Sequence, residues 1–532
     1  MSDRGVEASS SPGGRASRTE GSYNIGVACA DIPASRFPER PALVQEHGGR
    51  TISTTFAELA ERSSAIAAHL LDLGIERGAN VGVYATAGVQ TAVAHLGVLK
   101  AGAVTVPLIP LLGDEAIVHR LTDADIGVVL VGPRERDRLA SFKTSLPDVR
   151  DVVVFDDAER AGASTRRDFV PARTLASDPA IIIYSSGTTG RPKGALEPHG
   201  ILLGRQTPMS MIHGPFQPHD VFWTPVDWMW IGSFIDSVLA PLTYGCTVFT
   251  YDRERFDGRD AVRRLREFRV TKAFIAPTAL RMLMDVPEDE WRGHALTSVH
   301  TGGESLTADA AGWAHEVLGF AVDEIYGMTE ASFLAGNAHR YYPVVQGSMG
   351  FPYPGQTLAL RDAAGGTPPV GEAGEIVVDP SGPTMFLRYY GQPEATAERF
   401  DAGWYTTGDL ACCDERGYLF YVGRKDDLII SAGHRIGPGE IEDALHRHSA
   451  VREAAVVGVP DATRGQRIKA FVELHARHEE TDALTGELQD LVRTVVGRHA
   501  YPREVEYVAD FPRTVTGKVQ RNVLRERSDG LT

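Results

Sequence analysis

The chain is poor in lysine and cysteine, with only seven lysines and four cysteines among 532 residues. The cysteines, Cys29, Cys246, Cys412 and Cys413, form no CxxC pair and show no spacing to histidine that would indicate zinc. Adjacent Cys412 and Cys413 cannot easily bridge each other, so we expect reduced thiols and a cytoplasmic protein.

Long apolar runs and a surplus of positive charge are also missing. No stretch of 18 or more apolar residues occurs, and the first residues lack the order of a signal peptide, so we expect neither a membrane span nor export. The 54 Lys and Arg residues face 70 Asp and Glu residues, which gives a formal net charge of -16. Because phosphate backbones are recognised by basic surfaces, we expect no nucleic-acid partner, although a local basic pocket is compatible with this charge.

The scarcity of lysine makes the positions of the lysines informative. Arginine is the usual cation of this chain, and a lysine supplies a compact ammonium that the planar guanidinium does not imitate. Two of the seven lysines, Lys193 and Lys518, lie in glycine-containing segments that suit such a role.

Hydrophobic periodicity predicts an α/β fold of two domains after a disordered tail. Residues 1–20 contain Ser, Gly and charged side chains with almost nothing to bury. Helical stretches such as FAELAERSSAIAAHLLDLG then alternate with short apolar runs such as NVGVYA and AVTVPL, as in βαβ units. We predict a large N-terminal domain over residues 21–425, made of parallel-sheet α/β layers and a small β-rich part, and a small mobile α+β C-terminal domain over residues 426–532.

The densest chemical signal is a buried strand that runs into a loop of hydroxyls, glycines and one lysine, from Ile181 to Gly194. Glycines let backbone N–H groups approach phosphate oxygens, hydroxyls donate further hydrogen bonds, and the lysine adds charge. A Walker A loop is excluded because Gly194 follows Lys193. An ordinary polar turn would explain the glycines but not a lysine in so dense a cluster. The predicted phosphate-binding residues are Ser185, Ser186, Gly187, Thr188, Thr189, Gly190 and Lys193.

The segment SSGTTGRPKG resembles the phosphate loop of the adenylate-forming (AMP-binding) superfamily, which contains acyl-CoA synthetases, luciferases and peptide-synthetase adenylation domains. Six further blocks resemble that family in its order, and the resemblance covers roughly residues 25 to 525. They are TGGESL from Thr301, YGMTE from Tyr326, YTTGD from Tyr405, GRKDD from Gly423, GHR from Gly433 and PRTVTGK from Pro512. The segments around GHRIGPGEIEDAL are similar to the acetyl- and medium-chain acyl-CoA synthetase branch.

The resemblance implies a role for each matching residue. Lys518 would be the catalytic lysine that bridges the carboxylate of the acid and the α-phosphate, Thr329 would bind the α-phosphate, and Glu330 would bind Mg2+. Asp426 would be the hinge of a swinging domain. The remaining implied roles are ribose binding by Asp409 and Arg424, an adenine pocket of Gly303, Glu304, Ser305 and Tyr326, ATP-phosphate binding by Arg435, and the pantetheine path at Gly433.

The acyl site is predicted from two regions that match those lining it in the family. Gly327 stands where acetate-specific members have a tryptophan, so we expect a deeper pocket, which disfavours acetate as the substrate. Asp227 and Trp230, in the segment PVDWMWIG, and Gly302 are further candidates for this pocket. An equally weighted alternative is that Trp228 and Trp230 belong to the core.

These observations predict an ATP-dependent ligase that converts an apolar carboxylic acid to its acyl-adenylate and then transfers the acyl group to coenzyme A. An alternative is a half-enzyme that passes the adenylate to a carrier protein or a separate ligase. A more remote alternative is a sensor without catalysis, which the presence of Lys518, Asp409 and Glu330 disfavours. A luciferase-type oxygenase is compatible with the fold, but no residue selects for it.

Overall fold

The computed structural model of the chain describes residues 21–165, 169–185, 191–253, 255–431, 434–461, 463–513 and 519–528. The predicted disordered tail, residues 1–20, lies outside these ranges. None of the described helices combines the length and the apolar character needed to cross a bilayer.

A seven-stranded sheet has the order β18-β8-β7-β4-β3-β5-β6 and is parallel from β7 to β6. The edge strands β8 and β18 are antiparallel to their neighbours. Because helices cover the parallel strands, β3, β4 and β5 are buried on both faces, as their continuous apolar runs predict. The strands are β3 (Asn80–Tyr84), β4 (Val104–Leu108), β5 (Val128–Val131), β6 (Asp151–Val154), β7 (Pro179–Ser185), β8 (Lys193–Pro198) and β18 (Arg388–Tyr389).

A nine-stranded sheet has the order β15-β14-β13-β12-β11-β9-β10-β1-β2, with a parallel centre from β13 to β1. Its antiparallel ends are two hairpins, β1–β2 and β13–β14, and the short strand β15. The strands are β1 (Pro41–His47), β2 (Arg50–Thr55), β9 (Val221–Trp223), β10 (Thr247–Tyr251), β11 (Lys272–Phe274), β12 (Ser298–Gly302), β13 (Asp323–Met328), β14 (Ala331–Gly336) and β15 (Phe351–Pro352).

The small β-rich part predicted for the N-terminal domain is a five-stranded antiparallel sheet. A second five-stranded sheet follows from Ile429 and is antiparallel except for the parallel pair β25–β26. The first contains β16 (Leu358–Arg361), β17 (Gly374–Val378), β19 (Phe400–Asp401), β20 (Trp404–Cys413) and β21 (Leu419–Arg424). The second contains β22 (Ile429–Ser431), β23 (His434–Ile436), β24 (Val451–Asp461), β25 (Gly465–Leu474) and β26 (Glu504–Tyr507).

Helices cover the sheets, and local sequence signals set where several of them begin. Helix α2 (Phe56–Asp72) starts at a capping box, in which Thr55 and Glu58 each satisfy a backbone N–H of the other. The other α-helices are α1 (Ile32–Arg36), α3 (Val89–Lys100), α4 (Asp114–Asp123), α5 (Pro133–Ser141), α6 (Phe155–Thr165), α7 (Ile201–His213), α8 (Ala240–Thr243), α9 (Gly258–Glu267), α10 (Pro277–Met284), α11 (Ala308–Leu318), α12 (Pro393–Ala397), α13 (Pro438–His446), α14 (Asp482–Val495) and α15 (Arg521–Ser528). A π-helix, Ile231–Leu239, leads into α8.

The main core lies between the two large sheets. Val83 and Ile183 of the seven-stranded sheet share one buried cluster with Phe222, Phe274 and Phe333 of the nine-stranded sheet. The second five-stranded sheet has its own core, with Ile441 of α13 and Leu488 of α14 packed on it. The predicted α/β fold class, with a large N-terminal part and a smaller C-terminal part, is confirmed.

Candidate active site

The predicted phosphate loop joins two paired strands. Ser185, at the end of β7, is the register partner of Lys193, at the start of β8. Lys193 Nζ lies 5.3 Å from the ring centroid of Tyr389, which β18 brings alongside β8. Ser186, Gly187, Thr188, Thr189 and Gly190 lie outside the described residues, so their phosphate role stays a prediction.

Glu330 lies in the turn of the β13–β14 hairpin, next to Thr329 and within hydrogen-bonding distance of Ser185. Its side chain is buried, and Oε1 accepts hydrogen bonds from Ser185 Oγ at 3.2 Å and from the hydroxyl of Tyr389 at 2.6 Å. Both donors use the same oxygen, and no described residue donates to Oε2. No sequence motif indicated Tyr389, because its position depends on the pairing of β18 with β8.

The Glu330 carboxylate is a hard oxygen donor of the kind that Mg2+ prefers. The described residues contain no group of three or more His, Cys, Asp or Glu side chains that could hold a metal ion alone. Mg2+ commonly uses one or two carboxylates together with substrate phosphates, and a single carboxylate beside a phosphate loop fits that requirement. Glu330 is therefore suited to share a magnesium ion with bound ATP.

Two predicted residues and one that was not predicted converge on the carboxylate of Asp409. Tyr326 donates from its hydroxyl to Oδ2 at 2.8 Å, and Arg424 Nη1 donates to Oδ1 at 3.1 Å. Tyr421, which the motifs did not indicate, donates to Oδ1 at 3.3 Å. Burial and the neighbouring carboxylate raise the pKa of Tyr326 well above its usual range, so it remains a donor. Strands β20 and β21 make this cluster, since Asp409 and Arg424 are register partners.

Three of the four predicted adenine residues, Gly303, Glu304 and Ser305, follow the end of β12, and the fourth, Tyr326, is on β13. Gly303 has a φ of +91°, a conformation that favours glycine, and it is exposed together with Ser305. Glu304 accepts a hydrogen bond from Thr278 Oγ1 at 3.1 Å and lies 3.6 Å from Arg281 Nη2. These residues border the end of the parallel sheet, where ligands of open α/β sheets commonly bind.

Both predicted pocket glycines lie close to a neighbouring strand. A Cβ at Gly302 would lie 2.8 Å from the carbonyl oxygen of Ile325, and one at Gly327 would lie 2.8 Å from the backbone nitrogen of Phe333. Close approach of neighbouring backbone therefore favours glycine at both positions. The deeper acyl pocket at Gly327 stays a prediction.

The two tryptophans of the aromatic segment after β9 differ in burial. Trp228 is 3% exposed and belongs to the main core, whereas Trp230 is partly buried against Met229 and Tyr184. Burial raises the pKa of Asp227, and Arg253, whose Nη2 lies 3.4 Å away, opposes that increase. Trp230 and Asp227 therefore stay candidates for the acyl site, and Trp228 is a core residue.

A buried ion pair holds strand β14 of the β13–β14 hairpin in place. Arg205 of α7 donates to Asp236 and to the hydroxyl of Ser332, two residues beyond Glu330. Burial raises the pKa of Asp236 to about 6, while Arg205 lowers it. Because the guanidinium holds β14 and the π-helix together, this pair positions the Glu330 turn.

At the predicted hinge, the contacts of the chain change from the N-terminal part to the C-terminal part. Lys425 is bound to the N-terminal part, through its N–H to the carbonyl of Gly408 at 2.8 Å and its Nζ to Glu375 at 2.8 Å. Asp427 pairs with Arg525 of α15. Asp426 stands between these two, and Arg424 Nε lies 3.3 Å from its Oδ1.

Three predicted residues of the C-terminal part have no described side-chain position. Gly433 and Lys518 lie outside the described residues. Arg435 is in β23, paired with Ile430, and its side chain is not described. Their roles stay predictions.

Comparison with known proteins agrees with this geometry. The model of the family described as AMP-binding enzyme matches residues 31–390, and the AMP-binding enzyme C-terminal domain matches residues 440–518. The chain belongs to the AMP-binding enzyme family. An uncharacterized acyl-CoA ligase of Bacillus subtilis (strain 168) is 30% identical over 502 residues, covering 92% of this chain and 93% of its own length. The human mitochondrial acyl-coenzyme A synthetase ACSM1 is 31% identical over 499 residues, covering 91% and 86%.

Solved structures of AMP-binding enzymes are similar over nearly the whole chain. An anthranilate CoA ligase in complex with anthranoyl-AMP has a TM-score of 0.86 at 25% identity, covering 96% of this chain and 98% of its own. A benzoate CoA ligase from Burkholderia xenovorans LB400 has a TM-score of 0.82 at 27% identity, covering 95% and 100%. The predicted enzyme class is confirmed: this AMP-binding enzyme is an AMP-forming ligase of the acyl-CoA synthetase type, which uses ATP and CoA.

Proposed function

We propose that the chain activates an apolar carboxylic acid larger than acetate as its acyl-adenylate, and that it then forms the CoA thioester and AMP. The observation that carries this proposal is the convergence of two clusters, the Asp409 cluster for ribose and the Glu330 cluster for phosphate. Tyr326 and Glu330 lie four residues apart in one hairpin, so the two clusters are held at a fixed separation.

The first half-reaction requires the ribose and phosphates of ATP to be fixed. The Asp409 carboxylate accepts hydrogen bonds from ribose hydroxyls, and its protein donors hold it in place for that task. Mg2+ at Glu330 would neutralise phosphate charge. Thr329, in the turn with Glu330, adds a hydroxyl, and Lys193, at the start of β8, adds an ammonium. Lys518 stabilises the charge that develops as the carboxylate of the acid attacks the α-phosphate.

The second half-reaction needs another face of the C-terminal domain. A rotation centred on Asp426 would remove Lys518 after adenylation and bring Gly433 to the pantetheine path. The support for this pivot is the change of partners between Lys425 and Asp427, which confines the motion to very few backbone torsions.

For the acid, the aromatic surroundings of the hairpin favour an apolar ring. Phe333 follows Glu330 by three residues and packs in the same cluster as Phe274 and Phe234. Two structurally similar ligases are named for anthranilate and benzoate, which are aryl acids. An aryl acid is thus the substrate class that we propose to test first.

The test measures pyrophosphate release over a panel of acids with and without CoA, and follows products by mass spectrometry. We expect pyrophosphate with an aryl or other large apolar acid, thioester only when CoA is present, and loss of both with Lys518→Ala. Adenylate that accumulates unchanged in the presence of CoA would reduce the proposal to its first half-reaction. A preference for acetate would contradict the proposed substrate class.

A further inference from the structure

Two histidines and a serine form a buried hydrogen-bonded chain that the roles assigned above do not use. His213 is the last residue of α7, and His300 and Ser298 lie on β12. His213 Nδ1 is 2.7 Å from Ser298 Oγ, and His213 Nε2 is 2.9 Å from His300 Nδ1. Both imidazoles are at most 1% exposed. Nε2 of His300 is buried, and no described residue lies within hydrogen-bonding distance of it.

The imidazole of His300 is surrounded by aromatic rings. Its centroid lies 4.9 Å from Phe274, which is stacked on it, 5.8 Å from Phe333 and 6.3 Å from Phe222. A buried polar atom without a partner is unfavourable and is rare in native proteins. A ligand that supplies the missing hydrogen bond would remove that penalty.

His300 lies on the same strand as Gly302, a predicted acyl-site residue. His300 precedes Gly302 by two residues on the strand that ends at the adenine segment. Phe333 lies in a β-bulge, because β13 and β14 pair at Met328–Ala331 and at Tyr326–Ala335 with two extra residues on β14. Its φ is +49°, a strained value for a bulky residue. Bulges beside active sites redirect side chains, and this one brings the Phe333 ring against His300.

The histidine chain is neutral and can reverse its direction. Burial lowers the pKa of His300 to about 3 and lowers that of His213 well below its usual range. If Ser298 donates to His213, then His213 donates to His300 and Nε2 of His300 carries a proton. In the reverse arrangement, His300 donates to His213, His213 donates to Ser298, and Nε2 is an acceptor. Nε2 therefore suits a partner that both donates and accepts, as a hydroxyl or an amino group does.

The surrounding charges do not favour a second carboxylate at this position. Lys272 Nζ donates to the carbonyl oxygen of His213 and lies 3.5 Å from the Asp220 carboxylate. A substrate anion at His300 would face a neutral imidazole and aromatic rings, and its desolvation would be uncompensated. The site thus discriminates for a neutral polar group on an otherwise apolar acid.

We propose that Nε2 of His300 hydrogen-bonds a hydroxyl or amino substituent on the ring of an aromatic acid substrate, between the rings of Phe274 and Phe333. His300 is a specificity-determining residue. His213 and Ser298 are positioning residues that determine which ring nitrogen of His300 carries the proton. This inference rests on the proposed function, since it names the substrate class of the same acyl site.

The experiment compares benzoate with the 2-, 3- and 4-hydroxybenzoates and aminobenzoates in the pyrophosphate-release assay. We expect at least one substituted acid to exceed benzoate in kcat/KM by about 10- to 100-fold, the range for one buried hydrogen bond to a neutral group. His300→Phe keeps a ring of similar volume but lacks the nitrogen. In this variant the ratio of kcat/KM for the substituted acid to kcat/KM for benzoate should fall to near one. His300→Gln, whose amide reaches a similar position, should restore part of it.

The outcomes separate this inference from the function on which it rests. A wild-type enzyme that prefers benzoate, or a substituent preference unchanged in His300→Phe, would overturn the role of His300 while leaving the ligase function intact. Absence of pyrophosphate from every acid would overturn the proposed function and this inference with it. If His300→Phe does not fold, His300→Leu takes its place, with the same result expected.

Discussion

Lys425 and Asp427 are two residues apart, yet the first is bound to the N-terminal part of the chain and the second to α15. The proposed rotation of the C-terminal part would therefore use the torsions around Asp426. Proline at this position fixes φ near -65° and also restricts Lys425.

Asp426→Pro should uncouple the two half-reactions. We expect the ratio of adenylation rate to thioester formation rate to change by at least about tenfold, because one pose of the domain is favoured over the other. Single-turnover assays of pyrophosphate and thioester measure the two rates, with Asp426→Ala as the control that keeps the backbone free. Equal losses in both rates would contradict a pivot at this residue.

Substitution of Glu330 should change the response to magnesium. Glu330→Gln keeps the shape of the side chain and an acceptor for Ser185 and Tyr389 but removes the charge, so kcat/KM for ATP should fall by about 100-fold and more Mg2+ should be needed for half-maximal rate. Tyr389→Phe is the matched control, since it removes one donor to Oε1 and leaves the carboxylate. An unchanged magnesium dependence in Glu330→Gln would exclude this carboxylate as the ligand.

The two tyrosines on Asp409 provide a matched pair of substitutions. Tyr326→Phe removes the 2.8 Å bond to Oδ2, and Tyr421→Phe removes the longer 3.3 Å bond to Oδ1, which Arg424 still shares. We expect KM for ATP to rise by about 10-fold in the first variant and by less in the second. Steady-state kinetics with ATP varied will give both values, and a larger effect at Tyr421 would contradict the assignment.

Glu324 should make the stability of the protein depend on pH. Burial raises its pKa to about 8, while Asp443 adds to the increase and a hydrogen bond from the Leu306 N–H opposes it. Between about pH 4.3 and pH 8 the folded state therefore holds a proton that the unfolded state releases, so the contribution of Glu324 to stability is greatest below about pH 4.3 and is lost as pH rises to about 8. Glu324→Gln keeps an acceptor for Leu306 and should remove this dependence.

Calorimetry at pH 5.5 and pH 8.5 tests this difference. We expect the Tm of Glu324→Gln minus the Tm of wild type to be about 2–4 °C larger at pH 8.5 than at pH 5.5. A constant difference would mean that Glu324 does not titrate in this range.

Gly327→Ala should destabilise the protein. The new Cβ would lie 2.8 Å from the Phe333 nitrogen, which is too close for a normal contact. The bulge in β14 must move to remove this clash, and we expect the free energy of unfolding to fall by about 1–3 kcal/mol. Gly312 of α11 has open space where a Cβ would stand, so Gly312→Ala should instead stabilise by about 0.5–1 kcal/mol. Thermal unfolding of both variants compares them directly, and an unaffected Tm in Gly327→Ala would show that the hairpin can adjust.

The fold class and the nucleotide cluster could be predicted because their signals are local. Periodic apolar runs give strands such as β3, and motif residues such as Asp409 and Arg424 become neighbours through a single hairpin. Tyr389 and the His213–His300 contact could not be predicted, because they depend on strand pairings and helix packing between distant segments. The close backbone contact at Gly327 could not be predicted for the same reason, since the atoms that crowd a Cβ there belong to the bulge in β14.

The backbone contact at Gly327 has a practical meaning for altering the acids that the enzyme accepts. A library that enlarges Gly302 or Gly327 would return many destabilised variants, because both positions oppose neighbouring backbone. Substitutions at Phe274, His300 and Phe333 would change volume and polarity beside the proposed acyl site, but these side chains are also buried. Changes of substrate scope in this region must therefore be screened together with thermal stability.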